Sequence, residues 1–402
     1  MRGGMDRRRL VTGALALSGF SGLAGCTSLA APPALRSGAA SGQGTPRLIP
    51  VRAELNRLFD ITVCLRPFRA AGPRLEAEAI GQTLVVHNYG HGGSGWSLSW
   101  GSAEVAVAIA MQSAPTEIAV LGCGALGLTS AITAQQAGAK VTIYARDLLP
   151  RTRSARATGI WSPDSRIALT DKAAAGFPAL WEKMARTSFK TYRSYLGLPG
   201  APVEWIDEYN VRDRPRALAS AALAPGELDF ASYGDLIRDI NPSSVAVPPE
   251  ASPFPAPFVR RNSVMRFNLA DYGHTLMNDF LIAGGQIVRR EFRSPAELAT
   301  LPQKVVITCP GYGARALFKD ESITPVRGQI GWLTPQPELN YGFYYAGVGV
   351  IPRRDGIVVQ ALGGGDMRGY GDENETPNRA ESEAAIATIA RLTSRMQANR
   401  AA

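Results

Sequence analysis

Residues 117–145 read EIAVLGCGALGLTSAITAQQAGAKVTIYA. An apolar strand from Glu117 to Leu121 runs into Gly122-Cys123-Gly124-Ala125-Leu126-Gly127, a G-x-G-x-x-G turn. The spacing predicts a helix through about Ala137 stopped by Gly138, then a second strand from Val141 to Ala145. The glycines have separate tasks: Gly122 permits the tight turn, Gly124 lets backbone approach a pyrophosphate, and Gly127 lets the helix lie close on the strand. The anion would rest on the helix N-terminus at Ala125 and Leu126, where free N–H groups and the helix dipole favour negative charge. In this strand-turn-helix-strand setting the motif reads as dinucleotide-binding. The second strand ends Tyr144-Ala145-Arg146-Asp147, so Asp147, slightly displaced, is the candidate partner of the adenine ribose. The motif alone leaves NAD and FAD both open.

The chain around it has 402 residues, a soft prior for two domains. Its 45% hydrophobic and 19% charged residues exclude disordered, collagen-like and coiled-coil classes. The net charge of +9 counts Arg2, Arg7, Arg8 and Arg9 against Asp6, all in a segment read as removed; the rest holds 39 basic and 33 acidic residues, or +6. No basic run follows residue 9, so nucleic acid is not an expected partner. Residues 1–25 combine a basic start with an apolar stretch from Leu10 to Leu23, too short to span a membrane. Asp6-Arg7-Arg8-Arg9-Leu10-Val11 resembles a twin-arginine export signal, and Leu23-Ala24-Gly25-Cys26 resembles a lipobox. The expectation is an exported protein anchored by a lipid on Cys26, with residues 26–46 as a flexible tether; it would sit on the outer side of the cytoplasmic membrane, or in the periplasm or outer membrane. Cys64, Cys123 and Cys309 remain, each read as inert packing. The cysteines and three histidines show no zinc spacing, and no metal is expected.

Other stretches carry a family resemblance. YARDLLPRTRSARATGIWSP (144–163), VITCPGYGARAL (306–317), PVRGQIGWL (325–333) and IPRRDGIVVQALGG (351–364) are similar to segments of the D-amino acid oxidase (DAO) family of FAD enzymes, in that family's order. VVHNYGHGGSGWSLSWGSAEVA (85–106) resembles the family's closing signature, and Cys64-Leu65-Arg66-Pro67 its carboxylate-binding segment; here both precede the glycine fingerprint. The resemblance therefore implies a circular permutant. Residues from about 60 to 112 would correspond to the family's C-terminal part, joined through Ser113-Ala114-Pro115-Thr116 to its N-terminal part. The implied fold class is α/β, a Rossmann-like FAD-binding domain interleaved with a smaller α+β substrate domain dominated by an antiparallel sheet. The FAD domain would take 47–165, 266–325 and 356–402; the substrate domain 166–265 and 326–355. Further helices are expected over Leu276 to Ala283 and Thr376 to Met396, strands over Gln286 to Phe292 and Lys304 to Thr308, and loop across the six prolines of Pro242 to Pro257.

The resemblance implies FAD as cofactor and oxidation of the CH–NH2 group of a D-amino acid, or another carboxylate-bearing amine, by hydride transfer to flavin. An imine and then a keto acid would result, and oxygen or another acceptor would take the electrons. The cofactor carries that chemistry, so the protein must bind, orient and exclude water. A substrate carboxylate is best gripped by a planar guanidinium, which makes Arg66 the candidate. The family places a carbonyl at the position of Gly93 against the substrate amine, and a lid tyrosine in the region of Tyr345, with Tyr341 and Tyr344 nearby. Gly92, Gly93, Ser94 and Gly95 would run beside the flavin ring, with Trp96 and Ser97 at its pyrimidine end. Arg146, Thr152, Arg153, Ser154, Gly159 and Trp161 fall in the segment similar to the family's flavin-binding stretch. His87 and His91 read as structural, because hydride transfer from a neutral amine requires no histidine base. Two departures bear on the substrate: Gly349 stands where the family has a second substrate tyrosine, and Ser162 replaces a polar amide residue. They leave open an FAD-binding accessory or ligand-binding lipoprotein without turnover. An NAD-dependent dehydrogenase would leave residues 85–106 unexplained.

Overall fold

The computed structural model describes residues 48–215 and 225–401, with side chains to Met396. The expected export signal, Cys26 and the tether lie outside these residues. In chain order the strands are β1 (Leu58–Arg69), β2 (Ala77–Ile80), β3 (Thr83–His87), β4 (Glu117–Leu121), β5 (Lys140–Ala145), β6 (Val203–Arg212), β7 (Val245–Val247), β8 (Phe258–Phe267), β9 (Gln286–Arg289), β10 (Val305–Thr308), β11 (Ile323–Leu333), β12 (Tyr341–Tyr345), β13 (Val348–Arg353) and β14 (Gly356–Ala361). The helices are α1 (Ser99–Ala110), α2 (Ala125–Gln136), α3 (Phe177–Arg193), α4 (Leu269–Ile282), α5 (Ala314–Leu317) and α6 (Arg379–Ala401).

The smaller sheet has the order β2-β3-β10-β4-β5-β9. Five of its strands run parallel, and β2 is an antiparallel edge. Side chains alternate across a strand, so Val86, Ile118, Val120, Val141 and Ile143 enter the core shared with α1, α2 and α4. Val85, Ala119, Leu121, Tyr144 and Val306 pack the other way, on Phe292, Leu298, Leu301 and Leu317. With both faces covered, the strands read as continuous apolar runs rather than alternating ones.

The larger sheet has the order β1-β11-β14-β13-β12-β6-β8-β7 and is antiparallel except where β12 meets β6. One face is closed by α6, whose Ile386, Ile389, Leu392 and Met396 are buried against Tyr209, Phe343 and Val350, with Val51 in the same cluster. The other face looks toward the smaller sheet.

Strand pairing draws the domain boundaries differently from the expectation. β1 and β14, assigned to the FAD domain, belong to the large sheet, with β1 in register along β11 from Leu58↔Leu333 to Arg69↔Ile323. α4 begins seven residues before the expected Leu276, because Gly273 is a packing glycine rather than a break: a Cβ there would stand 2.3 Å from Leu149 Cδ1. β9 ends at Arg289 instead of Phe292. The proline-rich 242–257 stretch is mostly loop, yet Val245–Val247 pairs with the edge of β8.

Candidate active site

A cavity of about 1050 Å³ is lined from both sheets. Its floor is the carboxyl edge of the parallel strands: the segments following β3, β4, β5, β9 and β10 all reach it. Open α/β sheets bind ligands at that edge, where the strand order reverses; here the reversal lies between β4 and β10.

The glycine turn has the geometry its spacing predicts. Gly122 has φ +107°, and a Cβ there would stand 2.5 Å from the Cys309 carbonyl. A Cβ on Gly127 would stand 2.0 Å from the Gly122 carbonyl, so only glycine lets α2 sit this close to β4. The Ala125 N–H donates to Ser154 Oγ at 3.0 Å and the Trp96 indole N–H to the Ser154 carbonyl at 2.8 Å, which ties three expected segments to one wall. Gly92, Gly95, Leu126, Thr152 and Arg153 also line the cavity. Arg146 lines it too, but donates to Asp147 at 2.7 Å and to Glu291 at 3.3 Å, so the proposed ribose acid is ion-paired. The cradle fits FAD: glycine backbone lies where a pyrophosphate must approach, basic side chains line the same space, and no Cβ neighbour fills the room beside Gly95.

Toward the large sheet, the Gly92 N–H donates to the Pro67 carbonyl and the Gly93 N–H to the Ser165 carbonyl, each at 2.9 Å. The Gly93 carbonyl accepts no hydrogen bond from the described residues. Arg66, on β1, lays its guanidinium over Gly328, where a Cβ would stand 2.4 Å from Nη1. The Arg66 guanidinium has neither a hydrogen bond nor an ion pair among the described residues, although it lines the cavity. Burial lowers its pKa from the ordinary arginine value, opposed by the Cys64 thiol and reinforced by the charge of Arg166. A guanidinium stays cationic through such a shift.

Several expected site residues lie behind the wall rather than on it. Ser94 and Ser97 are buried; Ser97 Oγ accepts the Ser162 N–H at 2.8 Å. Trp161 is core and donates to the Ser97 carbonyl at 3.2 Å, while Gly159 (φ +85°) makes a close approach to the Phe267 carbonyl. Tyr345 does not line the cavity. It lies on the far face of β12, donating to Asp213 at 2.6 Å beside Arg395. Strand alternation puts its neighbour Tyr344 on the cavity face instead. The Tyr344 ring also occupies the space beside Gly349, whose Cβ would stand 2.8 Å from Tyr344 Cε1. Behind it, Glu208 is hydrogen-bonded to Tyr344 and Asn262, keeps a buried Oε2 without a partner, and is pushed by burial to a pKa of about 7.

His87 and His91 are fully buried: His87 Nδ1 lies 3.1 Å from Thr308 Oγ1, and His91 Nε2 lies 2.7 Å from Ser102 Oγ. Burial lowers the His91 pKa to about 3, so that ring stays neutral. Cys64, Cys123 and Cys309 are free thiols, the last two pushed up to about 12 by burial. Arg166, Glu208 and Glu291 were not singled out from sequence. For Glu291 a signal existed, since residues just past a parallel strand belong at this edge; for the others none did.

The family described as FAD dependent oxidoreductase matches residues 117–400. The chain belongs to that family. Its cofactor is FAD, and its curated relatives include amino-acid oxidases. A D-amino-acid oxidase from Streptomyces coelicolor is 27% identical over 220 residues, covering 53% of this chain and 58% of that protein. A D-amino-acid oxidase from Dictyostelium discoideum is 25% identical over 291 residues, covering 70% of this chain and 74% of that protein. Among solved structures, an L-proline dehydrogenase from P. horikoshii has a TM-score of 0.48 at 12% identity, covering 71% of this chain and 78% of that one. The chain thus spans less than two thirds of the Streptomyces relative.

Proposed function

We propose that this family member oxidises the CH–NH2 group of a D-amino acid, giving an imine that hydrolyses to a keto acid and ammonia. The observation that carries the reading is Arg66, a guanidinium in the cavity with no anion of its own. It would hold the substrate carboxylate through two parallel hydrogen bonds. The unengaged Gly93 carbonyl would accept from the substrate amine and so fix the direction of its nitrogen. The backbone of Gly122, Gly124 and Gly127 with α2 would hold the pyrophosphate of FAD, and Gly92 to Trp96 would lie along its ring. Bound FAD supplies the hydride-accepting chemistry; oxygen or another acceptor then removes the electrons. The apolar ring of Tyr344 would close the pocket where the family has a tyrosine at the position of Gly349.

Keto acid and ammonia formed from a D-amino acid and not from its L-enantiomer would support this reading. Flavin-loaded protein that forms neither across a broad amine panel would favour the non-catalytic accessory lipoprotein. The permuted order belongs to the same proposal. It is supported by β3 lying beside β10 in the small sheet, and by Val51 and α6 sharing one cluster, which brings the two ends of the folded unit together. Moving residues 47–112 behind residue 402 through a short linker should leave FAD binding intact; loss of folding would count against it. Export and a lipid anchor at Cys26 are the proposed localisation, and Cys26→Ala should release the protein from membranes.

A further inference from the structure

We infer that the cavity selects an amino acid bearing a second carboxylate, and that Arg166 is the group that recognises it. This rests on the amine-oxidising reading above and concerns the substrate's side chain.

Arg66 and Arg166 line one cavity from either side of the Gly92-Gly93 turn. The residue after Arg66 accepts the Gly92 N–H and the residue before Arg166 accepts the Gly93 N–H, so consecutive amides of one turn fix both segments. The Arg66 guanidinium feels the charge of Arg166. Like charges in a partly desolvated space repel, and among the described residues only Arg166 has an anion to offset that. The carboxylates lining the cavity are committed elsewhere: Asp147 and Glu291 to Arg146, Glu375 to Arg153. Arg66 has no anionic partner. Arg166 has Asp366, whose carboxylate is 3.5 Å away and largely exposed, while the Arg166 side chain is only 12% exposed.

Arg166 is also held in place. Its Nε donates to the Asp366 carbonyl at 2.7 Å and Nη2 to the Gly365 carbonyl at 3.2 Å, which leaves Nη1 without a hydrogen bond among the described residues. Its backbone has φ +48°, a region disfavoured for a side chain of this size, and its carbonyl lies where a Cβ on Gly92 would stand, 1.9 Å away. Strained backbone that presents a fixed cation to a cavity is characteristic of a ligand clamp. One carboxylate satisfies Arg66, and the Nη1 of Arg166, which its exposed partner Asp366 leaves without a hydrogen bond, is placed to take a second. A dicarboxylic D-amino acid such as D-aspartate or D-glutamate supplies both. Their amides match them in shape and lack only the charge.

The test uses the FAD-loaded protein. The expected kcat/KM for D-aspartate or D-glutamate exceeds that for D-asparagine or D-glutamine by roughly tenfold or more, because a buried charged donor rejects an analogue that cannot pair with it. Arg166→Gln should bring the ratio close to one, and Arg166→Lys should restore part of it. As an independent readout, malonate and succinate should perturb the bound flavin's absorption at lower concentrations than acetate and propionate, and Arg166→Gln should remove that difference. Neutral D-amino acids oxidised as well as acidic ones by the wild type would overturn this inference and leave the oxidase reading standing. If no D-amino acid is oxidised, the oxidase reading falls, and equal affinity for mono- and dicarboxylates would then overturn the inference too.

Discussion

Glu208 gives the fold a pH-dependent weak point that Glu208→Gln should remove. The residue is 9% exposed, its carboxyl is held by Tyr344 and Asn262 with one oxygen unpartnered, and burial raises its pKa to about 7 against an ordinary 4.5. The folded protein therefore keeps the proton over a range in which the unfolded chain has lost it. The stability associated with the neutral acid is fully present below pH 4.5, declines between 4.5 and 7, and is gone above 7. At about 1.4 kcal/mol per pH unit the ceiling is about 3 kcal/mol. Because the site keeps two hydrogen-bond donors, about 1–2 kcal/mol is the expected size. Glutamine preserves shape and cannot ionise. In urea titrations of the FAD-loaded protein, the stability of the variant relative to wild type should rise by that amount between pH 5 and pH 8. An equal pH dependence in both proteins would refute the burial argument and the placement of Glu208 behind the cavity wall.

Arg66→Gln should keep FAD and lose about 2–4 kcal/mol of transition-state binding for a carboxylate substrate, roughly 30- to 1000-fold in kcat/KM; a loss below about threefold would remove Arg66 from the site. Gly127→Ala puts a Cβ 2.0 Å from a backbone carbonyl that cannot swing away, so it should cost about 1–3 kcal/mol and weaken FAD binding, as measured by melting and by flavin fluorescence quenching. Gly138→Ala, at φ +95° with no atom within 4 Å of the added Cβ, should cost about 1 kcal/mol and leave FAD affinity alone. Tyr345→Phe loses its bond to Asp213 and about 1 kcal/mol of stability, with flavin reduction kinetics within about twofold of wild type; a large kinetic defect would return Tyr345 to the site.

The β4-α2-β5 unit was legible because everything that defines it is local: the apolar run, the glycine spacing and the stop at Gly138 all lie within 29 residues. Arg66 and the Gly92-Gly93 turn were found by resemblance, and the cavity brings them together. Tyr345 was misplaced because a run of adjacent aromatic residues does not reveal which parity of the strand faces inward; only pairing with β6 and β13 settles that. The large sheet's membership was hidden for a related reason. β1 pairs with β11 across more than 250 residues, and no local pattern carries that register. Residues Arg290 to Phe292 read as strand but leave the sheet to line the cavity, and the helix expected from Leu276 starts earlier because Gly273 serves packing. Arg166 offered no sequence signal, since its position depends on a left-handed backbone and a distant loop at Gly365 and Asp366.

The central claim is that this cavity holds FAD and delivers a D-amino acid to it. Anaerobic absorption of the purified FAD-loaded protein tests it most directly. The oxidised-flavin band should bleach on adding a D-amino acid and persist with the L-enantiomer. Protein that cannot take up FAD, or a band that stays unchanged through a panel of D-amino acids including aspartate and glutamate, would contradict it.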